Sequence, residues 1–254
     1  MKKKIVLTIG VLIILAGIVL GCIGLYKHMS EKHAGKVYED IKVEHDVQPL
    51  IDLPQLELEK IENPIDFKSL TAQYPDVYAW ITIPGTRIDY PIVQHPSDNG
   101  YYLNHTVDGR KRIEGSIYTE NYNSKDFSDP NTLIYGHNMK NGGMFADVAD
   151  FTNKEYFETH QKGKLYLTDA TRKIRFFACM KVTAADAKIY HPDGYRKENL
   201  KDLLDYIQAN AVQYRDVNVA DENSLIALST CSEAETNGRV VLIGKLEREV
   251  AEKQ

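Results

Sequence analysis

Cys231 closes the run Leu225-Ile-Ala-Leu-Ser-Thr-Cys231, where an apolar, strand-forming stretch gives way to the polar segment from Ser232 to Gly238. A strand end beside a loop displays a nucleophile, and sulfur attacks as its thiolate. His137 stands in an equivalent place, directly after the run Leu133-Ile-Tyr-Gly-His137, with Gly136 permitting a tight exit from the strand. Arg239 opens the apolar run Val240-Val-Leu-Ile243 and lies eight positions after Cys231, so the two flank one connection between adjacent strands. In an antiparallel pair their side chains converge on one mouth. The three groups suit acyl transfer: a thiolate attacks a carbonyl, a histidine protonates the departing amine, and a guanidinium stabilises the oxyanion. Arginine fits that last role because its planar fork stays charged and donates several bonds at once. No acid occupies an obvious His-orienting position, so a triad of the serine-protease type is not expected. CxxC, HExxH, EF-hand and glycine-rich phosphate-loop patterns are all missing, and neither a metal nor a cofactor is expected.

The other two cysteines read differently. Cys179 sits inside Phe176-Phe-Ala-Cys-Met180 and behaves as a small core residue, while Cys22 lies within a long apolar run. A Cys179–Cys231 disulfide is the remaining alternative for an exported chain.

The elements that must hold these residues are mostly strands. Eight short runs rich in Ile, Val, Tyr, Phe and Thr are expected at Ala79–Ile83, Arg87–Val93, Gly115–Thr119, Thr132–Tyr135, Lys164–Thr168, Lys173–Thr183, Ser224–Thr230 and Arg239–Leu246. Eight short strands in one domain point to a mostly β fold, a barrel or sandwich with added helices, since closure removes exposed edges. Asn63-Pro64 opens an expected helix over 65–74, with proline in its first turn. Leu200, Leu203, Leu204 and Ile207 recur at helical spacing and predict an amphipathic helix over 198–210, in the long connection before the cysteine strand.

The chain's ends differ sharply in character. Of 254 residues, 43% are hydrophobic and 26% charged, which excludes disorder and a multi-span membrane protein. The net charge of −5 argues against a nucleic-acid partner. Lys2, Lys3 and Lys4 precede an uncharged run from Ile5 to Tyr26, long enough as a helix to span about 30 Å of hydrocarbon. Flanking lysines favour the cytoplasmic side, which puts the remainder of the chain outside with a net charge of −8. A cleaved signal peptide would carry a shorter apolar core, and the lipoprotein-like run Val19-Leu-Gly-Cys22 has a bulky leucine where a small residue is preferred. The expected division is a cytoplasmic and transmembrane anchor at 1–26, an extracytoplasmic stem without sustained periodicity at 27–60, and a catalytic domain at 61–254.

Tyr135-Gly-His137, Leu228-Ser-Thr-Cys231 and Gly238-Arg239 resemble the three signatures of the sortases, in that family's order. The stretches Tyr74-Pro-Asp-Val-Tyr-Ala-Trp80 to Thr86, Ile88-Asp-Tyr-Pro-Ile-Val-Gln94, Asp98-Asn-Gly-Tyr-Tyr-Leu103, Gly115-Ser-Ile-Tyr118 and His137-Asn-Met with Met144-Phe145 resemble class B in particular. The resemblance implies an eight-stranded barrel and a membrane-anchored cysteine transpeptidase on the outer face of a Gram-positive cell. Such an enzyme cuts a C-terminal sorting motif after Thr, holds the product as a thioester, and passes it to an amine of the peptidoglycan precursor. By this resemblance Cys231 is the nucleophile, His137 the acid/base and Arg239 the oxyanion-side cation, with Ser229, Thr230 and Glu233 as substrate-binding neighbours. Some members carry Asp where this chain has Glu233. Class B members favour an Asn-Pro-Gln-Thr-like motif and often serve haem acquisition; a pilus-polymerising role stays open.

Ordinary pKa values near 8.5 for a thiol and 6.5 for imidazole make the thiolate–imidazolium pair a minor population at neutral pH, hence an expectation of slow turnover and a bell-shaped pH profile. Three rival readings use the same residues differently. A cysteine endopeptidase would release product to water, an L,D-transpeptidase would hold its His and Cys close in sequence rather than 94 residues apart, and a silent binding domain would need none of the three.

Overall fold

Ser224 to Cys231 is apolar on both faces of a strand, a pattern that requires cover on each side. The computed structural model, which describes residues 2–44, 63–190, 200–220, 223–231 and 237–247, supplies both covers. Ile226 and Leu228 face the main core, whereas Leu225 and Ala227 face a second cluster with Phe177, Met180, Leu200, Leu203 and Ile207.

The strands are β1 (Val77–Thr82), β2 (Asp89–Val93), β3 (Ile117–Tyr118), β4 (Asn131–Tyr135), β5 (Lys162–Leu167), β6 (Thr171–Thr183), β7 (Ala211–Tyr214), β8 (Ser224–Cys231) and β9 (Gly238–Leu246). Their order is β5-β1-β2-β3-β4-β8-β9-β6-β7, and an added β5–β6 pairing closes eight of them into a barrel. The barrel is mixed, because β2–β3 and β4–β8 run parallel while the other pairs are antiparallel. All eight expected strands are present, within a few residues of their expected ends. The ninth, β7, pairs with β6 outside the ring and was not anticipated from AVQY, four residues with only partial burial. β6 can serve both neighbours because it is 13 residues long: its first part pairs with β5 and its later part with β7.

Five α-helices accompany the barrel among the described residues: α1 (Lys2–Glu44), α2 (Phe67–Gln73), α3 (Lys154–Thr159), α4 (Ala187–Tyr190) and α5 (Leu200–Asn210). In α2, the Asp66 side chain accepts from the Ser69 N–H, capping the helix two residues later than the sequence pattern indicates. α5 follows its expected stripe, burying Leu200, Leu203 and Ile207, and Tyr206 donates to Asp186 at 2.7 Å.

The segment expected as a stem without periodicity is helical through Glu44, and 45–60 lies outside the described residues. Helical periodicity there is short and confined to the end that docks: Val37, Tyr38 and Ile41 bury against the barrel. Fully burying an aliphatic side chain contributes about 1.5–3 kcal/mol, so these few residues suffice to hold the last turns down. Lys42 adds an ion pair to the buried Asp89 at 3.0 Å, and Trp80 donates to the same carboxylate at 2.7 Å. The side chains of residues 2–14 are outside the described set, and among the described residues no helix is long and apolar enough to cross a membrane.

Candidate active site

Backbone register alone brings the three signature residues together. β4 and β8 are parallel neighbours with Tyr135 opposite Ser229, so His137 and Cys231, each two residues further on, leave the sheet at the same end. The Gly136 N–H continues that ladder to Ser229 O at 3.1 Å. β9 runs back beside β8 and pairs Arg239 directly with Cys231. The order β4-β8-β9 therefore puts the cysteine between the histidine and the arginine. Cys231 is described here by its backbone only, and Glu233 lies outside the described residues.

The same register disposes of the disulfide alternative. Cys179 faces Leu242 on β9 and Cys231 faces Arg239, three residues along the strand, or about 10 Å, beyond disulfide reach. Cys179 is a free, fully buried thiol.

His137 is fixed from both backbone and ring. The Phe145 N–H donates to its carbonyl at 2.9 Å. Its Nε2 lies 2.7 Å from Leu103 O. A carbonyl only accepts, so Nε2 carries the proton and Nδ1 is left as the basic nitrogen. Gly136 has no substitute here: a Cβ would stand 2.5 Å from Ile117 Cδ1 and 2.7 Å from the Phe145 ring. The close approach, and not a left-handed backbone, is what demands glycine.

A cleft of about 390 Å³ opens over these strand ends, lined by Leu103, His137, Ser229, Thr230 and Arg239 together with Tyr118, Glu120, Tyr122, Tyr135 and Tyr190. Ser229 Oγ bonds Tyr190 OH at 2.8 Å, and Thr230 Oγ1 is buried with no hydrogen-bond partner among the described residues. Tyr135 donates to Glu120 Oε2 at 3.0 Å, and Tyr122 donates to the same oxygen. Burial followed by the Glu120 charge pushes the Tyr135 phenol far above its ordinary range, so it remains a donor. Tyr118 is likewise raised, by burial first and then Glu120, with Arg239 opposing. Arg239 Nη1 also donates to Gly238 O at 3.0 Å. Sequence does not single out the tyrosine wall or Glu120: tyrosine is abundant in this chain, and its strand positions signal packing before chemistry. No grouping of three or more His, Cys, Asp or Glu side chains suited to a metal occurs among the described residues.

The sortase domain family matches residues 81–247. Sortase B of Listeria monocytogenes is 33% identical over 183 residues, covering 71% of this chain and 74% of that protein. A crystal structure of a Streptococcus pyogenes class B sortase involved in pilus biogenesis superposes with a TM-score of 0.64 at 35% identity, covering 72% of this chain and 98% of that one. The substrate complex of Staphylococcus aureus sortase B reaches a TM-score of 0.73 at 26% identity, over 87% of this chain and 99% of that one. The chain belongs to the sortase family, in class B. It is accordingly a cysteine transpeptidase of the kind that anchors surface proteins to the Gram-positive cell wall, built on the closed eight-stranded barrel.

Proposed function

We propose that Cys231 is the nucleophile of this transpeptidase, His137 its general acid/base and Arg239 the cation that stabilises the oxyanion. The observation that carries this reading is the register: Cys231 pairs with Arg239 across β8–β9, while the parallel β4–β8 pair delivers His137 to the same end. In the first half-reaction the Cys231 thiolate attacks the carbonyl carbon of Thr in a sorting motif of the Asn-Pro-Gln-Thr kind. The C–N bond breaks, the imidazolium of His137 protonates the leaving amine, and a thioester remains on sulfur. An amine of the peptidoglycan precursor then attacks the thioester, His137 accepts its proton, and sulfur leaves as thiolate. Arg239 offsets the negative charge on the carbonyl oxygen in both tetrahedral stages. Ser229, Thr230 and Glu233 contribute to substrate binding; the buried, unpartnered Thr230 hydroxyl supports that role for Thr230.

The proposed placement is a single-pass anchor over 1–26, with residues 61–254 as the catalytic domain on the outer face and 27–60 between them. The run from Ile5 to Tyr26 carries no charge, and three lysines precede it. Side chains from Leu15 to Tyr26 are exposed all round α1, including Leu20 at 69% and Leu25 at 64%. An apolar helix exposed on every side is suited to lipid rather than water.

The test is cleavage of a sorting-motif peptide with and without an added amine. Wild type should yield an amine adduct over hydrolysis product, and mass spectrometry should find the acyl group on Cys231. Cys231→Ala should lose both products while remaining folded. Turnover surviving in that variant would remove the mechanism, and release of acid alone in the presence of amine would favour an endopeptidase.

A further inference from the structure

The last turns of α1 touch the barrel on the side that holds His137, and two chains of contact run from Tyr38 to that histidine. The first goes through the backbone that accepts the imidazole proton. Tyr38 OH donates to Gly115 O at 3.0 Å, with Ser116 Oγ at 3.4 Å. Gly115 holds φ +58°, and a Cβ there would lie 2.5 Å from Tyr102 O and 2.6 Å from Leu103 O. The 115–116 backbone is thus pressed directly on residues 102–103. Ser116 completes the clasp, its N–H donating to Tyr102 O and its hydroxyl to His105 O, both at 2.9 Å. Leu103 O, at the centre of this clasp, accepts from His137 Nε2 at 2.7 Å.

The second chain goes through the turn after the histidine. The Tyr38 ring stands edge-on to Tyr90, with centroids 5.2 Å apart. Tyr90 OH accepts from the Met144 N–H at 3.0 Å. Met144 has φ +59°, a conformation that a non-glycine residue keeps only when its surroundings hold it. The next residue, Phe145, donates its N–H to His137 O at 2.9 Å.

We infer that Tyr38 is a positioning residue for His137, so that docking of the N-terminal helix onto the barrel sets the orientation and tautomer of the imidazole and thereby the rate of transpeptidation. The inference rests on the acid/base role given to His137 above. Among the described residues neither Tyr38 nor any other residue of α1 lines the cleft; the helix acts through Gly115–Ser116, Leu103 and Met144–Phe145.

The experiment compares full-length wild type with Tyr38→Phe, which keeps the ring and removes only the hydroxyl, and with Ser116→Ala, which breaks the clasp from the barrel side. All are assayed for kcat and KM on a sorting-motif peptide well below their melting temperatures. Histidine tautomers are read in parallel by 15N NMR of chain labelled at histidine. The expected result is a kcat lowered about threefold to tenfold, the range that one neutral hydrogen bond supplies, with KM within about twofold. The His137 signal should change from a single Nε2–H form to a mixture. Wild-type kcat and a single tautomer in a folded variant would overturn the inference, as would a rise in KM alone. If Tyr38→Phe does not fold, Ser116→Ala decides by the same readouts. His137→Ala separates this from the parent reading: wild-type turnover in that variant removes the acid/base role itself, whereas an inactive His137→Ala beside a normal Tyr38→Phe removes only the link to α1.

Discussion

The sheet places two cysteines two strands apart in opposite ways, Cys231 at a strand end and Cys179 in mid-strand. Cys179 lies in mid-strand at 0% exposure, and burial pushes its thiol up to about 12. Its thiol should therefore resist a disulfide reagent in the native protein at neutral pH, and react only after denaturant is added. The same shift gives a sign for stability. The unfolded thiol ionises near pH 8.5 while the folded one keeps its proton to about 12, so the unfolded state binds fewer protons between these values. Stability should consequently fall as pH rises from about 9 to 12, and denaturant melts of Cys179→Ala should show a shallower fall over that window. Gly136 makes a second prediction at this scale. Gly136→Ala drives a methyl group into Ile117 and Phe145, and should cost about 1–3 kcal/mol by chemical denaturation while lowering kcat, since His137 follows it.

At the scale of elements, the site is a property of three strand ends. Cys231 and Arg239 sit eight positions apart in sequence, and an antiparallel pairing of their strands follows almost directly from the short connection. His137 is different. Its run reads as a strand, but nothing local says that β4 lies parallel to β8 with Tyr135 opposite Ser229. Parallel neighbours need a long crossover, here residues 136–223 with β5, β6 and β7 inside it, and non-local pairing leaves no mark in a short window of sequence. β7 escaped the sequence for a related reason, since its four residues form a strand only because β6 extends past β5 and leaves an edge to pair. α5 was legible because its stripe of leucines repeats at helical spacing. Leu203→Ala should cost about 2–4 kcal/mol in equilibrium unfolding, because Leu203 fills the layer between α5 and the outer faces of β6, β8 and β9.

For the whole molecule, the charge separates into unlike parts. The first segment carries three lysines and then no charge to Tyr26, and the remainder is acidic at −8. A charge placed in the apolar run tests the anchor independently of catalysis. Ile13→Arg should weaken membrane insertion by about 2.5–3.5 kcal/mol and release protein from carbonate-washed membranes, with unchanged cleavage by the detergent-solubilised enzyme. α1 is continuous from Lys2 to Glu44, so the helix that carries the proposed anchor is the one whose far end grips Gly115 and Asp89.

Sequence by itself determined the nature of the parts: which runs are strands, where the amphipathic helix lies, which cysteine ends a strand, and which stretch carries no charge. These are local matters of residue type and period, and each window of the chain carries its own answer. Tertiary structure decided what meets what. The parallel β4–β8 register joins residues 94 positions apart, the β5–β6 pairing closes the barrel, four tyrosines and a carboxylate gather around the cleft, and Tyr38 reaches Gly115 across 77 positions. Such contacts depend on loop closure and on burial shared between distant segments, so no single stretch of sequence encodes them.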